Sequence, residues 1–140
     1  MVFDKTKNSK QRNKGKMKKE NLSSKNVPAT INAQAVKANG FIFSTQIGKN
    51  AETNKMETGM AAQAKRIMEN IKTILEENGS SLEKIAKVTV FISDLEKSKE
   101  FNDIYYSYFK DEKSRPVRSC IQIAKLHSGF EVEVEFTALA

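Results

Sequence analysis

The last quarter of the chain, Pro116 to Ala140, constrains the fold most. It holds two runs of alternating polarity around a short turn that contains glycine. Successive side chains on a strand point to opposite faces. In the second run Phe130, Val132, Val134, Phe136 and Ala138 share one face, and Glu131, Glu133 and Glu135 share the other. In the first run Ile121 and Ile123 lie opposite Arg118, Cys120 and Gln122. The pattern predicts a hairpin through His127-Ser128-Gly129. One face would be apolar and serve a core, and the other would carry a guanidinium, a thiol and carboxylates.

The rest of the chain supplies what such a hairpin needs as cover. Gln34 to Lys37 and Phe41 to Gln46 flank Asn39-Gly40, a strong signal for a second hairpin. Gly48 to Gly59 reads as a polar loop. Met60, Ala64, Ile67, Met68, Ile71, Ile74 and Leu75 then follow helical spacing, and Asn78-Gly79 provides a left-handed stop. Ile85 to Ile92 is a β-branched strand, and Leu95, Phe101, Ile104, Tyr105 and Tyr108 mark a second helix. The order β-β-α-β-α-β-β predicts an α+β domain with two helices on one face of a sheet. The other face carries mixed polar and apolar residues, which favours self-association with sites where subunits meet.

Composition narrows the partners. The net charge of +7 resides entirely in residues 1–25, which hold nine basic and two acidic residues. The remainder is neutral, so composition gives no sign of a basic nucleic-acid-binding surface on the domain itself. Residues 1–23 are lysine- and asparagine-rich and predict a disordered basic tail, with the domain occupying residues 24–140. The tail lacks the apolar stripe of a targeting helix, although its scarcity of acids leaves organellar targeting open. No apolar run approaches the roughly 20 residues that span a bilayer, so no membrane partner is expected. One cysteine and one histidine predict neither an internal disulfide nor a structural metal site, and they fit a reducing, cytoplasmic setting.

Several ordered stretches carry a resemblance. Pro116-Val117-Arg118-Ser119-Cys120-Ile121-Gln122-Ile123-Ala124-Lys125-Leu126 is the strongest. Lys25 to Ala29, Ala62 to Ala64, Glu69 to Ile71, Lys87 to Leu95, and Phe101-Asn102 through Phe109 support it. In these the chain resembles the Rid family of reactive-intermediate enamine/imine deaminases, also called the YjgF or endoribonuclease L-PSP family. The resemblance implies a chorismate-mutase-like homotrimer with clefts between subunits. It also implies hydrolysis of small 2-imino acids and enamines (2-aminoacrylate, 2-iminopropanoate, 2-iminobutanoate) to 2-keto acids and ammonia, with no cofactor and no metal.

Carried onto this sequence, the resemblance makes Arg118 the anchor for the substrate carboxylate, a task suited to a guanidinium fork. It makes Glu133 the group that manages protons on water. Cys120, Asn102, Ser44 and Thr45 become site-lining residues. The alternatives from the residues alone are a cross-strand ion pair for Arg118, solvated carboxylates, and a small buried apolar residue at Cys120. Two departures stand out. The Gly-Pro-Tyr expected after Ile31 is absent from Ile31-Asn32-Ala33-Gln34, and Ser44-Thr45-Gln46 has no glycine. These departures motivate a second reading, a non-catalytic ligand-binding or chaperone-like trimer. The lysine tail motivates a third, an RNA-directed role as translation inhibitor or endoribonuclease, driven by phosphate contacts.

Overall fold

The computed structural model describes residues 18–140. Strands β1 (Lys19–Leu22), β2 (Ala35–Ala38) and β3 (Phe41–Ile47) precede helix α1 (Met60–Glu77). Strand β4 (Ile85–Ile92), helix α2 (Ser98–Ser107), β5 (Val117–Gln122) and β6 (Val132–Leu139) follow. All six strands form one sheet in the order β1-β2-β3-β6-β4-β5.

The turn residues behave as their chemistry dictates. Asn39 and Gly40 take φ of 50° and 81°, positive values that only such residues adopt at low cost, and β2 pairs antiparallel with β3 across them. Helix α1 buries every apolar residue of its predicted stripe, together with Gln63 and Asn70. Each buried Ile, Leu or Met side chain there contributes about 1.5–3 kcal/mol of transfer free energy. The core lies between this stripe, the α2 residues Phe101 and Tyr105, and the inward residues of β3, β4 and β6.

Three expectations are corrected. First, residues 19–22 fall within the stretch predicted to be disordered, yet they form an edge strand on β2, with Leu22 buried opposite Ala35. One leucine and a ready-made strand edge suffice here, which an average over a lysine-rich segment conceals. The rest of the predicted tail, residues 1–17, lies outside the described residues.

Second, the two C-terminal runs are strands but do not form a hairpin. Strand β4 lies between them, parallel to β5 and antiparallel to β6. Parallel neighbours require a crossover, and α2 provides it. The segment after β5 then straps the end of β4, where Ile123 N donates to Ile92 O and Ser93 N donates to Glu131 O.

Third, the faces of β5 are reversed. The register places Arg118 beside Val88 and Phe136, and Cys120 beside Val90 and Val134, on the helix-covered side. Ile121 stands beside Phe91 and Glu133 on the open side, where it is 46% exposed. Alternation fixes which residues share a face but not which face meets the core. Arg118 and Glu133, expected on one face, therefore occupy opposite faces.

Candidate functional site

Arg118 is positioned by strand register and by aromatic packing. Phe101 and Tyr105 lie one turn apart on α2, and both are buried. The Arg118 guanidinium carbon sits 4.7 Å from the centroid of Tyr105, 5.2 Å from that of Tyr106 and 5.9 Å from that of Phe101. These distances are within cation–π range. Arg115 approaches the same Tyr106 ring at 4.6 Å, and its Nε donates to Phe109 O at 3.0 Å. Among the described residues no carboxylate pairs with Arg118, so the cross-strand ion pair does not form.

This corner of the molecule also holds unmet hydrogen-bonding capacity. Among the described residues, the buried side-chain atoms with no partner are Arg118 Nη1, Asn102 Oδ1 and the Tyr105 hydroxyl. Buried polar groups are nearly always paired, because leaving one unmade costs about 1–3 kcal/mol. A guanidinium with an open donor, beside a helix offering a further donor and an acceptor, is suited to a small carboxylate ligand. Cys120 lies two residues from Arg118 on the same face and packs against the core. Burial pushes its thiol pKa up, and Arg118 offsets this only in part, which disfavours the nucleophilic thiolate.

Glu133 belongs to a different place. It projects from β6 on the open face, where Thr45 Oγ1 donates to its Oε1 at 3.2 Å. Both line a cleft of about 420 Å³ closed by residues 28–33, Ile47 and Lys49. The neighbouring glutamates differ. Glu131 forms an ion pair with Lys97, and Glu135 lines a separate cleft of about 370 Å³ with Lys87 and Thr89. Glu133 alone of the three combines the larger cleft with a hydroxyl donor. His127, the sole histidine, stands in the turn before β6 and lines neither cleft.

The segments around the cleft are tied down by residues that sequence reasoning passed over. The Gln34 amide nitrogen donates to Ser24 O, Val27 O and Pro28 O at 3.0–3.1 Å, and its Oε1 accepts from Ser24 N at 2.6 Å. One side chain thus ties the loop that lacks Gly-Pro-Tyr. Gln63, buried on α1, donates to Glu57 O at 3.1 Å and accepts from Glu131 N at 2.8 Å. It joins the loop after β3 to the entry of β6. Lys49 brings a cation to the cleft. A polar residue inside an apolar helical stripe was the available signal for Gln63, whereas Gln34 and Lys49 carried none. Ser44, expected to face substrate, is turned to the covered side. Its hydroxyl donates to Gln34 O at 2.6 Å and accepts from Gln46 Nε2 at 3.1 Å. Asn102 lies on α2 next to Phe101, one of the rings around Arg118, and Thr45 stays with Glu133.

Within one chain the two groups do not converge. Arg118 and Glu133 are two strands and three residue positions apart, roughly 10 Å in each direction by strand geometry. They also point to opposite sides of the sheet. A small acid cannot touch both in a single copy. The apolar side chains Phe41, Phe43, Val117, Ile121 and Leu139 are exposed, and their register places them on the open face.

Comparison with known proteins places these features in context. The family model described as endoribonuclease L-PSP matches residues 24–140. A RutC family protein of Aquifex aeolicus is 45% identical over 114 residues, covering 81% of this chain and 91% of that protein. Among solved structures, the Rid family protein YyfA of Yersinia pestis has a TM-score of 0.84 and 34% identity, covering 88% of this chain and all of that one. Escherichia coli TdcF, solved with bound serine, has a TM-score of 0.80 and 30% identity, covering 86% and 98% of the two chains.

Proposed function

The chain belongs to the Rid family, whose model is described as endoribonuclease L-PSP, and from that membership we propose that it hydrolyses small 2-imino acids and their enamine tautomers to 2-keto acids and ammonia. The observation that carries the reading is Arg118, a guanidinium held by aromatic rings, with a buried open donor and no acidic partner among the described residues. A carboxylate satisfies that donor. TdcF binds serine, an α-amino carboxylate of the size expected here.

The site is assembled between copies of the chain in a homotrimer. One copy supplies Arg118 and Asn102, with Cys120 lining, and its neighbour supplies Glu133 and Thr45. Separation of these groups within one copy supports the assembly, as do the apolar residues of the open face. Arg118 fixes the carboxylate and so fixes the adjacent imine carbon. Glu133 takes a proton from water as its oxygen bonds to that carbon. Return of that proton to nitrogen gives the carbinolamine, whose hydroxyl proton then passes by way of Glu133 to nitrogen as the C–N bond breaks, releasing ammonia and leaving the carbonyl of a 2-keto acid. Water supplies the oxygen, so the step needs no redox partner. The Thr45 hydroxyl holds the Glu133 carboxylate toward the cleft.

An amino-acid oxidase that generates 2-iminopropanoate in situ provides the assay, read as accelerated loss of imine and release of ammonia. Acceleration by the wild-type protein that falls about a hundredfold in kcat/KM in Arg118→Ala is the expected result. No acceleration by the wild type, or equal rates in the two proteins, would overturn the reading. Retained binding of 2-keto acids without acceleration would favour a ligand-binding trimer instead.

A further inference from the structure

Tyr105 is 2% exposed, and its ring is enclosed by Phe101 at 5.7 Å, Tyr106 at 5.1 Å and Phe109 at 4.9 Å between centroids. Packing of this kind fixes where the hydroxyl stands. The hydroxyl has no partner among the described residues. Phenylalanine would fill the same space without burying an unmet polar atom, so packing alone does not account for a tyrosine here. A phenol is protonated at neutral pH and can donate a hydrogen bond, and burial, which raises this one's pKa to about 12, keeps it so well into alkali.

The other unpaired atoms give that donor a context. Arg118, whose guanidinium carbon lies 4.7 Å from the same ring, has an open donor at Nη1. Asn102, three residues before Tyr105 on α2 and thus on a neighbouring surface of the helix, has an open acceptor. Two donors and one acceptor complement a carboxylate joined to a carbon that bears an N–H group. We infer that Tyr105 is a further substrate-binding residue, whose hydroxyl donates to the carboxylate held by Arg118. The inference rests on the reading of Arg118 given above and adds a second donor to the same group.

The test is direct calorimetric binding of pyruvate and 2-ketobutyrate to wild type, Tyr105→Phe and Arg118→Ala, with thermal unfolding of each protein. Tyr105→Phe is expected to weaken binding about ten- to hundredfold while the melting temperature holds or rises. Unchanged affinity would overturn the inference, and a fall in melting temperature alongside it would mark the hydroxyl as structural. Binding lost in Arg118→Ala but kept in Tyr105→Phe leaves the functional reading standing and removes only this inference. Failure of the wild type to bind either keto acid removes both. A crystal structure of the wild-type protein with pyruvate is an independent readout that needs no variant. A Tyr105 oxygen in hydrogen-bond contact with the carboxylate supports the inference, and a hydroxyl bonded instead to a group of a neighbouring copy overturns it.

Discussion

Strands β5 and β6 are neighbours in sequence and alike in pattern, yet they contribute to function in opposite ways. Strand β6 is interior to the sheet, and its burial alternates residue by residue from Val132 to Leu139. Its polar residues have only the open face to occupy, and Glu133 is presented there with Thr45 beside it. Strand β5 is an edge strand on which no residue is fully buried. Its Arg118 faces the helices, and α2 covers that guanidinium with rings rather than with aliphatic side chains. The interior strand thus exposes a carboxylate to a cleft, while the edge strand shelters a cation whose donor stays open. A reaction that needs both must bring two copies together.

The largest effect should come from dividing the two halves. Glu133→Gln removes the proton acceptor and keeps the shape, so kcat should fall about 10²- to 10⁴-fold with keto-acid affinity little changed. Arg118→Ala should lose affinity as well as rate. Neither variant alone shows where the halves reside. Unfolding and refolding an equal mixture of the two does, because a random trimer then contains sites that draw Arg118 and Glu133 from different, intact sources. About a quarter of wild-type activity should return. If the mixture stays as inactive as its components, the site lies within one copy and the comparison between β5 and β6 fails.

Much of the fold was legible because local chemistry and tertiary packing agree. The Asn39-Gly40 turn, the α1 stripe and its stop before Gly79, and the alternation of β4 and β6 all follow from spacing. Two features were not legible for physical reasons. Pairing of β5 with β4 depends on a crossover through α2, which carries no short-range signal, whereas a turn with glycine mimics a hairpin. The inward face of β5 depends on what covers it, and aromatic rings accept a guanidinium that apolarity scales would place outside. At the site, Arg118 and Glu133 were found through the resemblance, while Gln34 and Tyr105 emerged only from hydrogen bonds made or missing.

A smaller effect tests how β6 is held. Gly48 approaches α1 so closely that a Cβ added there would lie 2.6 Å from Gln63 Cβ and 2.7 Å from its Cα. The Cα belongs to the backbone and cannot rotate away, so Gly48→Ala must shift the helix or the loop. Overpacking of this kind costs about 1–3 kcal/mol, measurable by denaturant unfolding. Because Gln63 also bonds the entry of β6, the variant should lower kcat more than it lowers keto-acid affinity. Equal losses in both would show that the two strands are not positioned independently.

The mildest effect concerns the covered half and appears in alkali. The Tyr105 pKa is raised from 10.0 to about 12, chiefly by burial, and that of Tyr108 is raised by burial and by its hydrogen bond to Glu69. Each phenol is harder to ionise folded than unfolded. The unfolded chain therefore loses protons first as pH rises above about 10. The corresponding stability is complete below that pH and is lost progressively as pH climbs through about 12, by an amount of order 2 kcal/mol for Tyr105. Urea unfolding between pH 9 and 12 should show this decline, and Tyr105→Phe should flatten it in part while Tyr108 retains its share. The same series on Glu133→Gln should follow the wild type, because that residue belongs to the open face. A Tyr105→Phe curve that parallels the wild type throughout would mean that the phenol is as free to ionise in the fold as in the unfolded chain, contrary to its burial beneath Arg118.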